Sequence, residues 1–144
     1  MYFEDLSPYE YIIDANTDGL KILNVGWIDA EHNFSRGETT KEFRDALLEL
    51  CLSVTVNKTR GFYRSPFQTR LKRGFMEAIV IKKGWFRKKH LGSAEVEVVD
   101  SSNQILYRAP DLLYHYVVDV NYLPPEPFIQ AVCECYGRGK TKKC

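Results

Sequence analysis

The chain has 144 residues, of which 44% are hydrophobic and 27% charged, with a formal net charge of +1. That length suits one domain, and folding it buries about 70% of the unfolded surface, enough for a core without staples. The balance excludes general disorder, and no run approaches the ~20 apolar residues that span a bilayer, so no membrane partner is expected.

The small net charge conceals segregation: −7 over residues 1–57, +10 over 58–90, −6 over 91–135 and +4 over 136–144. Such asymmetry concerns partners and steering rather than fold. Residues 1–8 carry acids where a secretory leader would carry Lys or Arg before an apolar run, so a cytoplasmic chain is expected. In that compartment Cys51, Cys133, Cys135 and Cys144 are expected to stay reduced.

Residues 1–19, rich in Tyr, Asp and Pro, predict an irregular arm around Ser7-Pro8. The apolar frequency of 20–28 predicts a strand, followed by a polar loop over 29–38. Thr39-Thr-Lys-Glu42 has the form of a capping box, and Phe43, Ala46, Leu47 and Leu50 recur at helical spacing behind it. A helix over 40–51 follows. Residues 57–74, with Gly61, Pro66 and Gly74, predict a long irregular segment; 75–81 predict a strand and 82–89 a basic turn. Residues 93–99 alternate polar and apolar, 100–103 have turn chemistry, and Ile105, Tyr107 and Ala109 form a partner strand, so 93–109 predict a hairpin. Leu112, Leu113, Tyr116, Val117 and Val120 predict an amphipathic helix capped by Asp111. Pro124-Pro125 breaks it, and Phe128, Ile129 and Val132 share one face of a last helix starting near Pro125. The fold class is therefore α+β. One domain over 1–136 holds an antiparallel sheet of four or five strands with two or three helices packed on one face. Residues 137–144 are expected to be a mobile basic tail.

Catalytic constellations are weak. Gly139-Lys140-Thr141 lacks the upstream glycine of a phosphate loop, since position 134 is Glu. Cys133 and Cys135 would lie about 200° apart on a helix, too far round to chelate together. Asp111, His115 and Asp119 share one helix face, which suits a metal or a raised histidine pKa, but also an ordinary solvated stripe with Asp111 as cap. No metal, cofactor or catalytic set is nominated, and a non-enzymatic protein is expected.

Two segments point to partners. Glu4, Asp5, Glu10, Asp14 and Asp18 surround Tyr9 and Tyr11, and aromatic anchors ringed by carboxylates suit docking onto a basic protein. The bland alternative is that this arm packs on its own domain. In 58–90, Arg60, Arg64, Arg87, Lys88 and Lys89 interleave with aromatics such as Trp85, the composition of a nucleic-acid-binding surface. Its bland alternative is a solvated basic rim over core aromatics.

Several blocks resemble an uncharacterised family of small bacterial proteins: Asp5-Leu-Ser-Pro-Tyr-Glu-Tyr11, Asn24-Val-Gly-Trp-Ile-Asp29, Asn57-Lys-Thr-Arg-Gly-Phe62, Leu91-Gly-Ser-Ala-Glu95, Ala109-Pro-Asp-Leu-Leu-Tyr-His-Tyr116 and Tyr122-Leu-Pro-Pro-Glu126. The resemblance covers roughly residues 1–132 and implies no established activity. In many members the stretch after Thr-Arg-Gly-Phe ends in Cys-Pro-Phe-Cys, whereas here it reads Ser65-Pro66-Phe67-Gln68, so the implied metal pair does not carry over. Proteins of this kind are often immunity or accessory partners of bacterial toxins. With the acidic arm, this gives the leading expectation: a protein that binds and neutralises a basic toxin such as a nuclease. Nucleic-acid binding through 58–90 is the alternative.

Overall fold

The structure, a computed structural model, describes residues 1–10, 19–58, 63–67, 71–72, 75–76 and 79–137. In chain order its elements are β1 (Lys21–Asn24), α1 (Lys41–Ser53), β2 (Leu71–Lys72), β3 (Phe75–Met76), β4 (Val80–Lys83), β5 (Arg87–His90), β6 (Glu95–Asp100), β7 (Ile105–Pro110), α2 (Leu113–Asp119) and α3 (Glu126–Tyr136). The domain is α+β, as expected, but the sheet differs in detail. It has three strands in the order β1-β7-β6, with β6 and β7 antiparallel and β1 parallel to β7. Parallel pairing needs a long crossover, and here the chain from Val25 to Gln104 supplies it, carrying α1 and the smaller hairpins. Among the described residues, the run expected as a strand over 75–81 does not join the sheet. β3 pairs with β2, and β4 pairs with β5.

The register places Leu23, Tyr107 and Val98 side by side across the sheet, on the face that carries the core. The Tyr107 ring meets Phe128 of α3 edge-on at 5.8 Å, and Phe128 meets Phe43 of α1 at 6.4 Å, so α3 lies on the sheet and α1 beside it. α1 buries Phe43, Ala46, Leu47, Leu50 and Cys51, the stripe that helical spacing dictates. Its cap is shifted by one residue from the expected box. The Thr40 side chain accepts from Phe43 N, while Thr39 accepts from Arg44, so Glu42 has no reciprocal role. At the other end Lys89 Nζ donates to the carbonyls of Cys51 and Val54, satisfying groups that the helix leaves open.

Both edges of the sheet are covered. The N-terminal arm runs antiparallel along β1, through Leu6 N to Asn24 O at 2.7 Å, Asn24 N to Ser7 O at 2.8 Å and Tyr9 N to Ile22 O at 3.0 Å. On the far side Val56 and Glu95 exchange two backbone bonds of 2.9 Å. No helix among the described residues is long and apolar enough to cross a membrane.

Candidate functional site

The strand period that sends Val96 and Val98 into the core sends Glu95 and Glu97 to the opposite face. There Asn24, Arg108 and Glu97 form a polar row directly opposite one another, and Arg108 Nη2 donates to Glu97. The Arg108 guanidinium lies 5.0 Å from the Tyr9 ring centroid, over its face. The Tyr9 hydroxyl donates to Glu95 Oε1 at 2.7 Å, and Asn57 Nδ2 donates to Glu95 Oε2. This row is buried because the N-terminal arm folds across it. Burial and the hydrogen bond to Glu95 push the Tyr9 phenol up to about 12.

Beside this row a cavity of about 110 Å³ opens between Trp27, Tyr63, Tyr116 and the 92–95 turn. Its floor holds two buried acids, Glu95 (4% exposed) and Asp111 (0% exposed). Asp111 Oδ1 accepts from Gly92 N at 2.7 Å, whereas Oδ2 has no hydrogen-bond partner among the described residues. Burial raises the Asp111 carboxyl above its ordinary range, against the pull of the Gly92 amide and the Lys89 ammonium. Asp111 is thus no N-cap of α2, contrary to expectation: α2 begins after Leu112 with no side-chain cap. At the mouth stands Tyr63, exposed, its phenol raised by burial and by the nearby Asp29. Tyr63 N donates to Gly92 O, which pins the 63–67 segment by its first residue, so that Tyr63 roofs the cavity. Gly92 is required there: its φ is +106°, and a Cβ would collide with the Tyr63 carbonyl.

The other end of that roof is tied to α2. Ser65 Oγ lies 2.9 Å from His115 Nε2, and His115 Nδ1 lies 2.7 Å from Asp119 Oδ2. The chain of atoms has the order of a hydrolytic triad. However, Ser65 is 3% exposed, its oxygen accepts from Phe67 N at 3.2 Å, and neither Ser65 nor His115 lines the cavity. The arrangement does what a clasp does, holding the roof to the helix. Of the expected Asp111, His115 and Asp119 stripe, only the last two meet.

The second feature is the β4–β5 hairpin. The basic run 82–89 is no mere turn: Lys82 faces Lys88 and Lys83 faces Arg87 across paired strands, and only Gly84, Trp85 and Phe86 form the loop. Gly84, at φ +64°, makes the reversal. Trp85 is 97% exposed and Phe86 95%. The bases divide by strand period. Lys83 Nζ and Arg87 Nη1 reach Glu49 of α1 at 3.2 and 2.7 Å, and Lys89 caps α1, while Lys82 and Lys88 point to solvent.

Of the arm residues expected to dock a partner, Glu4 and Glu10 are exposed. Asp5 accepts from Gly26 N at 2.9 Å and from the Tyr122 hydroxyl at 2.8 Å, and Tyr9 is buried. These two are internal anchors, because the arm satisfies the free edge of β1. Tyr11, Asp14 and Asp18 lie outside the described residues, as do Arg60 and residues 138–144. Arg64 is exposed. Cys51 and Cys133 are free thiols, but Cys135 is not, so the expectation of four reduced cysteines fails there. Sequence reading missed Asn57, Glu95 and Ser65, whose roles depend on contacts 38 to 86 residues apart.

Fold and site together define a single α+β domain with an aromatic-walled cleft floored by two buried acids and a separate cationic hairpin. The chain belongs to the DUF7919 family, a domain of unknown function, whose model matches residues 1–133. No curated protein and no solved structure matches the chain.

Proposed function

We propose that the protein is a non-enzymatic binding module for a basic partner protein, in its most concrete form an immunity protein that occludes a toxin such as a nuclease. The observation that supports this reading is the cleft. Two buried carboxylates sit beneath Trp27 and Tyr63 in a space of about 110 Å³, which suits an inserted Lys or Arg side chain. Asp29 adds an acid near the mouth.

The test is capture from native lysate in the presence of nuclease, comparing the wild type with Tyr63→Lys, which sets an ammonium at the mouth of the cleft. A stoichiometric basic protein held by the wild type, released by Tyr63→Lys and inactivated by adding the wild type back supports the reading. A partner held equally by both proteins, or a partner whose activity is untouched, removes it. The rival, hydrolysis by Ser65, predicts labelling by a serine-directed phosphonofluoridate that His115→Ala abolishes. The closed geometry at Ser65 leads us to expect no labelling, read by mass spectrometry.

A further inference from the structure

A tryptophan and a phenylalanine side by side, both fully in water, are unusual on a folded domain: large apolar side chains exposed together mark a contact surface. Trp85 and Phe86 occupy the turn of the β4–β5 hairpin and line no part of the cleft. Nothing inside the domain requires them, since the turn is made by Gly84 and the strands are held by the Ile81 side chain and the Glu49 ion pairs.

The charges around the tip decide what it meets. Lys82 and Lys88, an exposed cross-strand pair, stand two residues behind the turn, about 7 Å at the rise of a strand. Lys83 and Arg87 hold Glu49 yet remain half exposed, so each keeps donors free. Farther back, Lys58 is exposed and within electrostatic reach of Lys89. The cations therefore lie on both faces of the hairpin behind the aromatic tip, Lys82 and Lys88 on one and Lys83 and Arg87 on the other, with Lys58 near its base. An acidic protein groove would meet the cations, but would meet the rings only if it also presented apolar or aromatic side chains beside its acids. A lipid surface would meet the tip but not Lys58, set back from it. A polyanion that carries its own flat rings meets both.

We infer that the β4–β5 hairpin is a binding site for single-stranded nucleic acid, with Trp85 and Phe86 stacking on unpaired bases and Lys82, Lys88 and Arg87 on the flanking phosphates. Stacking is sequence-tolerant because every base has a π-face, so little base preference is expected. The inference is independent of the cleft and of the partner proposed for it.

The experiment is a fluorescence-anisotropy titration of labelled dT20 with the whole protein, over a range of salt. The wild type should bind, with affinity falling as salt rises. Trp85→Ser with Phe86→Ser should weaken binding about 10-fold or more, the loss expected for one or two stacked bases. Lys82→Ala with Lys88→Ala should lower the salt slope by about 1.4, at ~0.7 per phosphate contact on a single strand. All four sites are solvent-facing, and far-UV circular dichroism checks that the variants stay folded. Absence of binding at low salt overturns the inference. So does binding unchanged in the hairpin variants, or equal affinity for a duplex of the same length, which would indicate charge alone. The emission of Trp85 supplies the last arm, because Trp27 is buried. Quenching by unlabelled dT20 supports stacking, whereas a blue shift with phosphatidylserine-containing vesicles and no response to dT20 would reassign the tip to membranes.

Discussion

The cleft and the hairpin tip are both built from aromatic residues beside charges, yet the fold treats them in opposite ways. At the cleft, Trp27 and the two acids are buried and hydrogen-bonded within the domain, Trp27 to the Arg108 carbonyl, Glu95 to Tyr9 of the N-terminal arm and Asp111 to the Gly92 amide. At the tip, Trp85 and Phe86 stand in water although nothing prevents a turn residue from being polar. Aromatic and charged composition alone therefore does not separate a structural cluster from a contact surface. What separates them is whether another segment of the chain supplies the missing hydrogen bonds and apolar cover.

The largest expected effect tests that division directly. Arg108→Ala removes a buried guanidinium that pairs with Glu97 and lies over Tyr9, and should destabilise the domain by about 3 kcal/mol in urea titration. Trp85→Ala should stay within about 0.5 kcal/mol of the wild type. Equal losses at the two positions would mean that the tip is packed in solution and that the contrast is false.

Glycine gives a matched pair at intermediate size. Gly92→Ala and Gly84→Ala both force a side chain into the left-handed region, at φ +106° and +64°. At Gly84 nothing lies within 4 Å of the new Cβ, so only backbone strain remains, about 1 kcal/mol. At Gly92 the Tyr63 carbonyl must also move, which should raise the loss to about 2–3 kcal/mol and lift the 63–67 roof. Faster amide exchange at Phe67 in Gly92→Ala, with none in Gly84→Ala, would show the roof opening.

Alkali sharpens the comparison further. Because burial and the bond to Glu95 raise the Tyr9 phenol from 10 to about 12, its contribution is fully present below pH 10 and is lost as pH rises towards 12. The stability gap between the wild type and Tyr9→Phe should therefore narrow over that window. A gap that stays constant from pH 9 to 11.5 would place Tyr9 in solvent and undo the account of the arm.

The sequence made the helices legible, because the stripe from Phe43 to Leu50 and that from Phe128 to Val132 are local patterns read against a local period. The β6–β7 hairpin was legible for the same reason. What was not legible depends on distant segments. Alternation sets Glu95 on the polar side of its strand, and the arrival of Tyr9 and Asn57 makes it a buried acceptor. Asp111 looked like a helix cap because it precedes an apolar run, but the Gly92 amide, 19 residues upstream, claims it first. The basic run 82–89 read as a turn because its charges hid a two-residue alternation that Glu49, on another element, makes visible. The exposure of Trp85 could not be read at all, since an aromatic beside cations is as often core as surface.

The smallest effect on stability should be the most informative about the tip. Glu49 is the acid that holds Lys83 and Arg87. Burial alone would raise its carboxyl, but the hydrogen bonds from Arg87, Lys83 and Ser53 outweigh that and hold it below the usual range. Its contribution is thus present above the unfolded carboxyl pKa and fades as pH falls through the folded one. Glu49→Gln should cost only about 0.5 kcal/mol, as exposed pairs do, with the hairpin still paired. The same change frees two cations beside the aromatic tip. If the hairpin binds single strands as inferred, Glu49→Gln should tighten dT20 binding and steepen its salt dependence, because Lys83 and Arg87 then lose their neutralising carboxylate. A salt slope unchanged from the wild type would exclude both residues from the surface and confine it to Lys82, Lys88 and the rings.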